Sequence, residues 1–419
     1  MINDKYPYDW SLPTLKELTA EFLNGGTPST HIREYWGGDI PWITGADAEQ
    51  KTTVTARKSI TNLGVKRSST HIVPKNNILM VTRTGVGKVS ISGVDVAISQ
   101  DLTGIIPKTD LVDVEYLYYQ LARICPTLDT LAQGSIIQGI QREEVETLVI
   151  PLPALPEQRQ IAEILSTLDA AIEQTQALIR KLERVKQGLM ADLLTRGVDE
   201  NGEVRPRPED APHIYHKTML GPLPKEWSII ELSKVATVER GKFTPRPRND
   251  PKYYDGGYPF IQTGEVASAN GRRISRFSQT LNELGTTVSR DFPAETIVVT
   301  IAANIGETAI LAIPMYLPDS LVGVIVNQPN NVRFLEMGIR SNKERFNAIA
   351  PQSAQKNINL GDLRPMLIPF PEVEEQGMIA RMYDSIENSI ILEEHELTKL
   401  CKIRLGLMQD LLSGAVRVV

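Results

Sequence analysis

At 419 residues, with 41% hydrophobic and 23% charged side chains, the chain is long enough for two or three domains, and its composition excludes disordered and fibrous classes. The net charge of −6 is unevenly spread: residues 51–90 hold eight cations and no acid, whereas 372–413 hold nine acids and four bases, so the total hides a basic surface. Cys125 and Cys401 lie far apart and outside any CxxC, which excludes a disulfide framework and a cysteine zinc site. Both read as buried thiols, and the five histidines show no recurrent ligand spacing.

Residues 1–10 are polar and aromatic, and nowhere do eighteen apolar residues run together, so neither a secretory signal nor a membrane anchor is expected and the chain reads as cytoplasmic. Residues 1–153 carry short β-branched and aromatic runs such as 77–82, punctuated by Gly and Pro, and predict a mixed α/β domain. Within it, Gly85, Val86, Gly87 and Lys88 look like part of a phosphate loop. Thr82 and Val89 stand where that loop needs Gly and Ser or Thr, so a turn after a strand is expected.

Residues 154–196 predict one long helix. Ile161, Leu165, Leu168, Ile172, Thr175, Ile179 and Leu182 step alternately by four and three, a heptad seam that Leu189 and Leu193 extend. Pro156 suits a first turn, Glu157 the positive end of the helix dipole, and Gly197 a C-terminal stop. Residues 197–221, rich in Pro, Gly and charge, read as a solvated linker.

A second α/β domain is expected over 222–371, with a strand-like run at 296–301. Its segment Asn249, Asp250, Pro251, Lys252, Tyr253 departs from an amino-methyltransferase motif at Lys252, and no glycine-rich cofactor loop precedes it. A second long helix over 372–414 has the seam Ile379, Tyr383, Ile386, Ile390, Glu393, Leu397 and Leu400, extended by Leu407 and Leu411, with Gly414 placed to end it. A narrow apolar seam roughly 60 Å long cannot be left in water, and the partner of equal length is the other helix. The heptads alone permit a parallel or an antiparallel pair.

The two halves are one unit written twice, at an offset of 217 to 219 residues. Trp10 returns as Trp227, and Thr27 and Pro28 return as Thr244 and Pro245. The run starting at Tyr35 returns from Tyr254, Ile150 to Pro153 as Ile368 to Pro371, Glu157 and Gln158 as Glu375 and Gln376, and residues 188–194 as 406–412. The basic stretch 51–75 has no residue-by-residue echo, so the scaffold is kept while the contacting surface varies.

In that order, the opening Trp10, the Gly26, Thr27, Pro28 turn, the GGDIPWIT run at 37–44 and the IPLP element leading into Glu157 and Gln158 resemble the specificity subunits of type I restriction-modification enzymes, over essentially the whole chain. The resemblance implies an α+β fold with two tandem α/β target recognition domains, 1–153 and 222–371. Each is followed by a conserved spacer helix, 154–196 and 372–414, the two pairing as an antiparallel coiled coil with pseudo-two-fold symmetry. It further implies that the chain reads a bipartite, asymmetric site in double-stranded DNA. Two methyltransferase subunits would carry out adenine-N6 methylation, and two restriction and translocation subunits ATP-dependent cleavage. S-adenosylmethionine, ATP and Mg would be held by those partners, and this chain would hold no cofactor, metal or catalytic residue.

Cations would neutralise phosphates while a few Arg, Gln, Asn and Thr side chains read base edges. In the first domain the candidates are Lys51, Arg57, Lys58, Lys66, Arg67, Arg83 and Lys88, with Gln138, Gln141 and Arg142 as readers. In the second they are Lys242, Arg246, Arg248, Arg272, Arg273 and Arg276, with Gln352, Gln355, Lys356 and Asn357. The competing reading from composition is a coiled-coil adaptor without sequence-specific DNA contact, which the acid-free window at 51–90 weighs against.

Overall fold

The computed structural model describes residues 6–132, 139–302, 304–349 and 357–418. The chain forms two compact units, one of residues 1–177 with 395–419, the other of residues 178–394. Each boundary falls inside a long helix, so each unit holds one α/β domain, the first part of the helix that follows it and the last part of the other helix.

In the first unit a five-stranded sheet has the order Thr19–Asn24, Leu102–Pro107, Ile78–Val81, Val89–Ser92, Thr52–Thr53. A four-stranded sheet has the order Lys58–Ile60, Trp36–Ile43, Val96–Ile98, Ile72–Val73. The run Ile78–Val81 is apolar at every position because both of its faces are covered. Leu79 and Val81 pack with Ile43, Val96 and Ile98 of the smaller sheet. Ile78 and Met80 belong to the core formed with Tyr116 and Leu117 of the helix Val114–Ala132, and with Ile161, Leu165, Leu411 and Leu412 of the two long helices. The turn after this strand leads directly into another strand, Val89–Ser92, rather than into the helix that a phosphate loop needs.

The second unit repeats this order strand for strand: Ala236–Arg240, Leu321–Val326, Ile297–Thr300, Thr308–Leu311, Arg273–Ile274 in one sheet, and Gln279–Leu281, Tyr254–Phe260, Met315–Leu317, Arg290–Phe292 in the other. Its main core joins Ile297 and Val299 to Leu335 and Met337, to Ile379 and Tyr383, and to Leu193 and Leu194. The segment expected to be a solvated linker is folded here. Tyr215–Thr218 pairs with Gly221–Pro224 in a hairpin, and Val198, Ala211, Tyr215 and, just beyond the segment, Leu223 are buried, because apolar residues spaced among the charges cover the helix ends while most of the charges face outward and Arg205 turns in to Glu375.

The long helices run Leu155–Thr195 and Val373–Ser413. Gly197 and Gly414 lie just beyond their ends with φ of 64° and 74°, the left-handed conformation that terminates a helix and favours glycine. Within each unit the helical segments are antiparallel. In the first, Arg404 meets Asp169 at 2.5 Å and Arg417 meets Glu157 at 2.7 Å. In the second, Lys186 meets Glu387 at 3.2 Å and the Val198 amide donates to Glu375 at 3.0 Å.

Of the expected seam, Ile161, Leu165, Leu193, Ile379, Tyr383, Ile390 and Leu411 are buried, whereas Leu168, Ile172, Ile179, Leu182, Leu189, Ile386, Leu397, Leu400 and Leu407 are half-buried. The heptad step that the apolar reading skips in each helix is filled by a cation, Lys186 between Leu182 and Leu189 and Arg404 between Leu400 and Leu407. Cys125 is buried, but Cys401 is exposed, because it lies one residue past the seam position Leu400.

Candidate nucleic-acid interface

The repeated motifs turn out to be fasteners. Gln158 accepts from the Asp113 amide at 2.9 Å and donates to the Pro153 carbonyl at 2.9 Å; Gln376 does the same with Asn331 at 3.0 Å and Pro371 at 3.0 Å. Each pair of bonds ties the start of a long helix to its own domain. Buried Glu375 is held by Arg205 at 2.5 Å and by the indole N–H of Trp227 at 3.0 Å, and Glu157 is held by Arg417. The Trp42 indole donates to the Gly26 carbonyl at 3.0 Å, which anchors the strand Trp36–Ile43 to the Gly26, Thr27, Pro28 turn.

Two residues expected on the DNA surface serve the same purpose. Lys51 donates to Glu115 at 3.0 Å, to the Tyr119 hydroxyl at 3.0 Å and to Ser166 at 2.7 Å, so it joins its domain to the first long helix instead of facing solvent. Arg272 forks onto Glu387 at 2.5 Å and Glu394 at 2.7 Å. Burial works against its charge, but these two carboxylates raise its pKa above the ordinary value. A basic residue in a sequence window reveals its charge but not its partner.

A hydroxyl stands at the middle of each tie. Tyr119 donates to Asp169 at 2.6 Å. Tyr383 accepts from Arg340 at 2.7 Å and donates to Glu387 at 3.4 Å, and burial pushes its phenol up to about 12.

The other candidates among the described residues lie on the exterior. In the first unit Lys58, Lys66, Arg67 and Arg83 are exposed and have no acidic partner among the described residues. Lys58 sits over the Trp36 ring at 5.5 Å. Arg57 lies 3.6 Å from Asp47, Lys88 lies 3.6 Å from Glu49, and Arg142 pairs with Glu146 at 2.7 Å while covering the Phe22 ring. The Lys88 pair is exposed on both sides, and pairs of that kind are weak and can exchange for phosphate contacts. Gln141 is exposed, and Gln138 lies outside the described residues.

In the second unit Lys242 and Arg276 are exposed without an acidic partner among the described residues. Arg246 and Arg248 share Asp319 at 3.2 and 2.7 Å, leaving a local excess of positive charge, and Arg273 pairs with Glu295 at 2.6 Å. Asn357 is exposed at a bridge to Ala302, while Gln352, Gln355 and Lys356 lie outside the described residues.

An open cleft of about 570 Å³ in this unit is lined by Arg248, Tyr254, Phe260, Gln262, Phe277 and Gln279 among others, a mixture of aromatic faces and amide groups suited to a base edge. Gln262, Phe277 and Gln279 were not singled out from sequence. Their signal is the strand register, which a fixed repeat offset cannot follow: Trp36 and Tyr254, each opening its strand, are 218 residues apart, whereas Ile60 and Leu281, paired across those strands, are 221 apart.

The sequence profile described as the type I restriction modification DNA specificity domain matches residues 7–184 and again 224–402. The type I restriction enzyme MjaIX specificity subunit of Methanocaldococcus jannaschii is 30% identical over 286 residues, 67% of this chain and 62% of that protein. The MjaVIII specificity subunit of the same organism is 25% identical across 99% of this chain and 94% of that one. Among solved structures, the type I restriction-modification system S subunit from M. genitalium has the same fold, with a TM-score of 0.61 over 98% of this chain and 97% of that chain at 16% identity. No helix among the described residues is long and apolar enough to cross a membrane.

Proposed function

The chain belongs to the family of type I restriction-modification DNA specificity subunits, and from that premise we propose that each of its α/β domains reads one half of a split, asymmetric site in double-stranded DNA. The observation that carries this is the pairing of one strand order with two different exteriors. Lys58, Lys66, Arg67 and Arg83 project from one copy, and Lys242, Arg276 and the Arg246 and Arg248 pair from the other. One scaffold presenting two different contact sets suits two unlike half-sites.

In this reading the cations hold phosphates and set register, and polar side chains between them discriminate bases. The chain itself carries out no chemistry. Methyltransferase subunits bearing S-adenosylmethionine would methylate adenine N6, and translocating nuclease subunits using ATP and Mg would cleave. We place two of each on the two similar units.

A mobility-shift titration of the full chain with duplex DNA at rising salt tests the reading. A DNA reader loses affinity steeply, with log K falling by about 0.9 per phosphate contact for each unit of log salt. A coiled-coil adaptor shows no binding worth titrating, and that result would overturn the proposal.

A further inference from the structure

The strand that opens each four-stranded sheet places one side chain at an equivalent point on both domains. In the first, Lys58 is the cross-strand partner of Trp42, two residues before the buried Ile60. In the second, Gln279 is the cross-strand partner of Phe260, two residues before the buried Leu281. The surroundings correspond as well: the Lys58 ammonium lies over the ring of Trp36, and Gln279 shares its cleft with Tyr254, the residue that opens the matching strand. The two domains therefore carry different polar groups on the same spot of the same scaffold, beside an aromatic ring and open to solvent.

Gln279 is also oriented. The Gln262 amide nitrogen donates to Gln279 Oε1 at 2.9 Å, which takes one of that oxygen's two lone pairs and fixes the side-chain amide. A free glutamine reads adenine by using donor and acceptor together; one whose oxygen already accepts a hydrogen bond keeps both donors but only one lone pair, which favours the two acceptors, N7 and O6, of guanine in the major groove. An ammonium such as that of Lys58 only donates.

Resting on the specificity reading above, we propose that Lys58 and Gln279 are equivalent base-reading positions, one per half-site. Each donates to the acceptor edge of a base, with guanine the best match, and Gln262 is the positioning residue that fixes the Gln279 amide.

The test is modified-base sequencing of DNA from cells that express the full chain with its methyltransferase partner. Gln279→Ala should relax the preference at one position of one half-site by about ten-fold or more, and Lys58→Ala should do so in the other half-site. Gln279→Glu, which keeps the shape but exchanges donor for acceptor, should move the preference toward cytosine, whose N4 amino group donates. Gln262→Ala should admit adenine at the Gln279 position without relaxing any other.

Unchanged motifs in both alanine variants, or changes confined to one half-site for both, would overturn the assignment. So would complete loss of modification by a Gln279→Glu chain that still unfolds at the wild-type temperature. A wild-type complex that marks DNA at no defined motif would instead refute the specificity reading beneath it, a separate failure.

Discussion

Replacing Glu387 by Gln keeps its shape but removes a charge that three groups surround: Lys186 at 3.2 Å, Arg272 at 2.5 Å and the Tyr383 hydroxyl at 3.4 Å. Lys186 and Glu387 are only 3% and 4% exposed, so neither can recover its loss from water. Breaking a buried pair by removing one member costs about 3 to 5 kcal/mol. Lys186 keeps Glu183 at 2.8 Å and Arg272 keeps Glu394 at 2.7 Å, which places the expected loss near the lower end, about 3 kcal/mol. For a unit of this size that lowers the unfolding midpoint by roughly 6 to 12 °C, read by calorimetry on the full chain.

The repeat-related pair supplies the control. Asp169 and Arg404 have side chains 20% and 32% accessible, so Asp169→Asn should cost only about 1 kcal/mol or less. The pH dependence adds a second check. Burial by itself would raise the Glu387 pKa, but Lys186 and Arg272 outweigh it and hold the carboxyl below the usual value. A depressed folded pKa contributes stability above the unfolded value of about 4.3, and that contribution fades as pH falls through the folded value. The gap between wild type and Glu387→Gln should therefore persist at mildly acidic pH and narrow only below about pH 4. A midpoint shift under about 2 °C at neutral pH, or equal shifts for the two substitutions, would refute the reasoning.

Two further outcomes follow from the placement of charges and helices. Lys51→Ala should lower the stability of the first unit while leaving the salt slope of DNA binding unchanged, whereas Lys66→Ala and Arg67→Ala should each reduce that slope by about 0.9; filter binding across a salt series reads both. Removing about one turn, four residues, from matching positions of both long helices should alter the gap between half-sites and leave the bases read unchanged, since we propose that helix length acts as a ruler. Modification mapping that finds the original gap would sink that idea.

The duplication, the α/β character of each domain and the two helices were legible in sequence because periodicity, Gly and Pro are local signals. Gly197 and Gly414 ending their helices belong to the same class. The folded state of 197–221 was hidden because its buried residues, Val198, Ala211 and Tyr215, are scattered among prolines and charges that dominate the composition. Lys186 and Arg404 were hidden as seam members because an apolar pattern passes over cations, although both sit on the heptad step. At the candidate interface, basic residues could be named but not sorted. Only tertiary packing separates Lys51, tied to Glu115 and to Ser166 of the first long helix, and Arg272, tied to carboxylates of the second, from Lys66 and Arg276, which face solvent.

Each long helix carries an acid and, seventeen residues further on, a base: Asp169 and Lys186 in one, Glu387 and Arg404 in the other. Antiparallel alignment brings each acid to the other helix's base, as both ion pairs have it. A parallel alignment in the repeat register would set Asp169 against Glu387 and Lys186 against Arg404, carboxylate facing carboxylate and cation facing cation. The apolar heptads are indifferent to direction, but these four charges are not, so chain polarity is written in the few charged positions on and beside the seam that a hydrophobic pattern passes over.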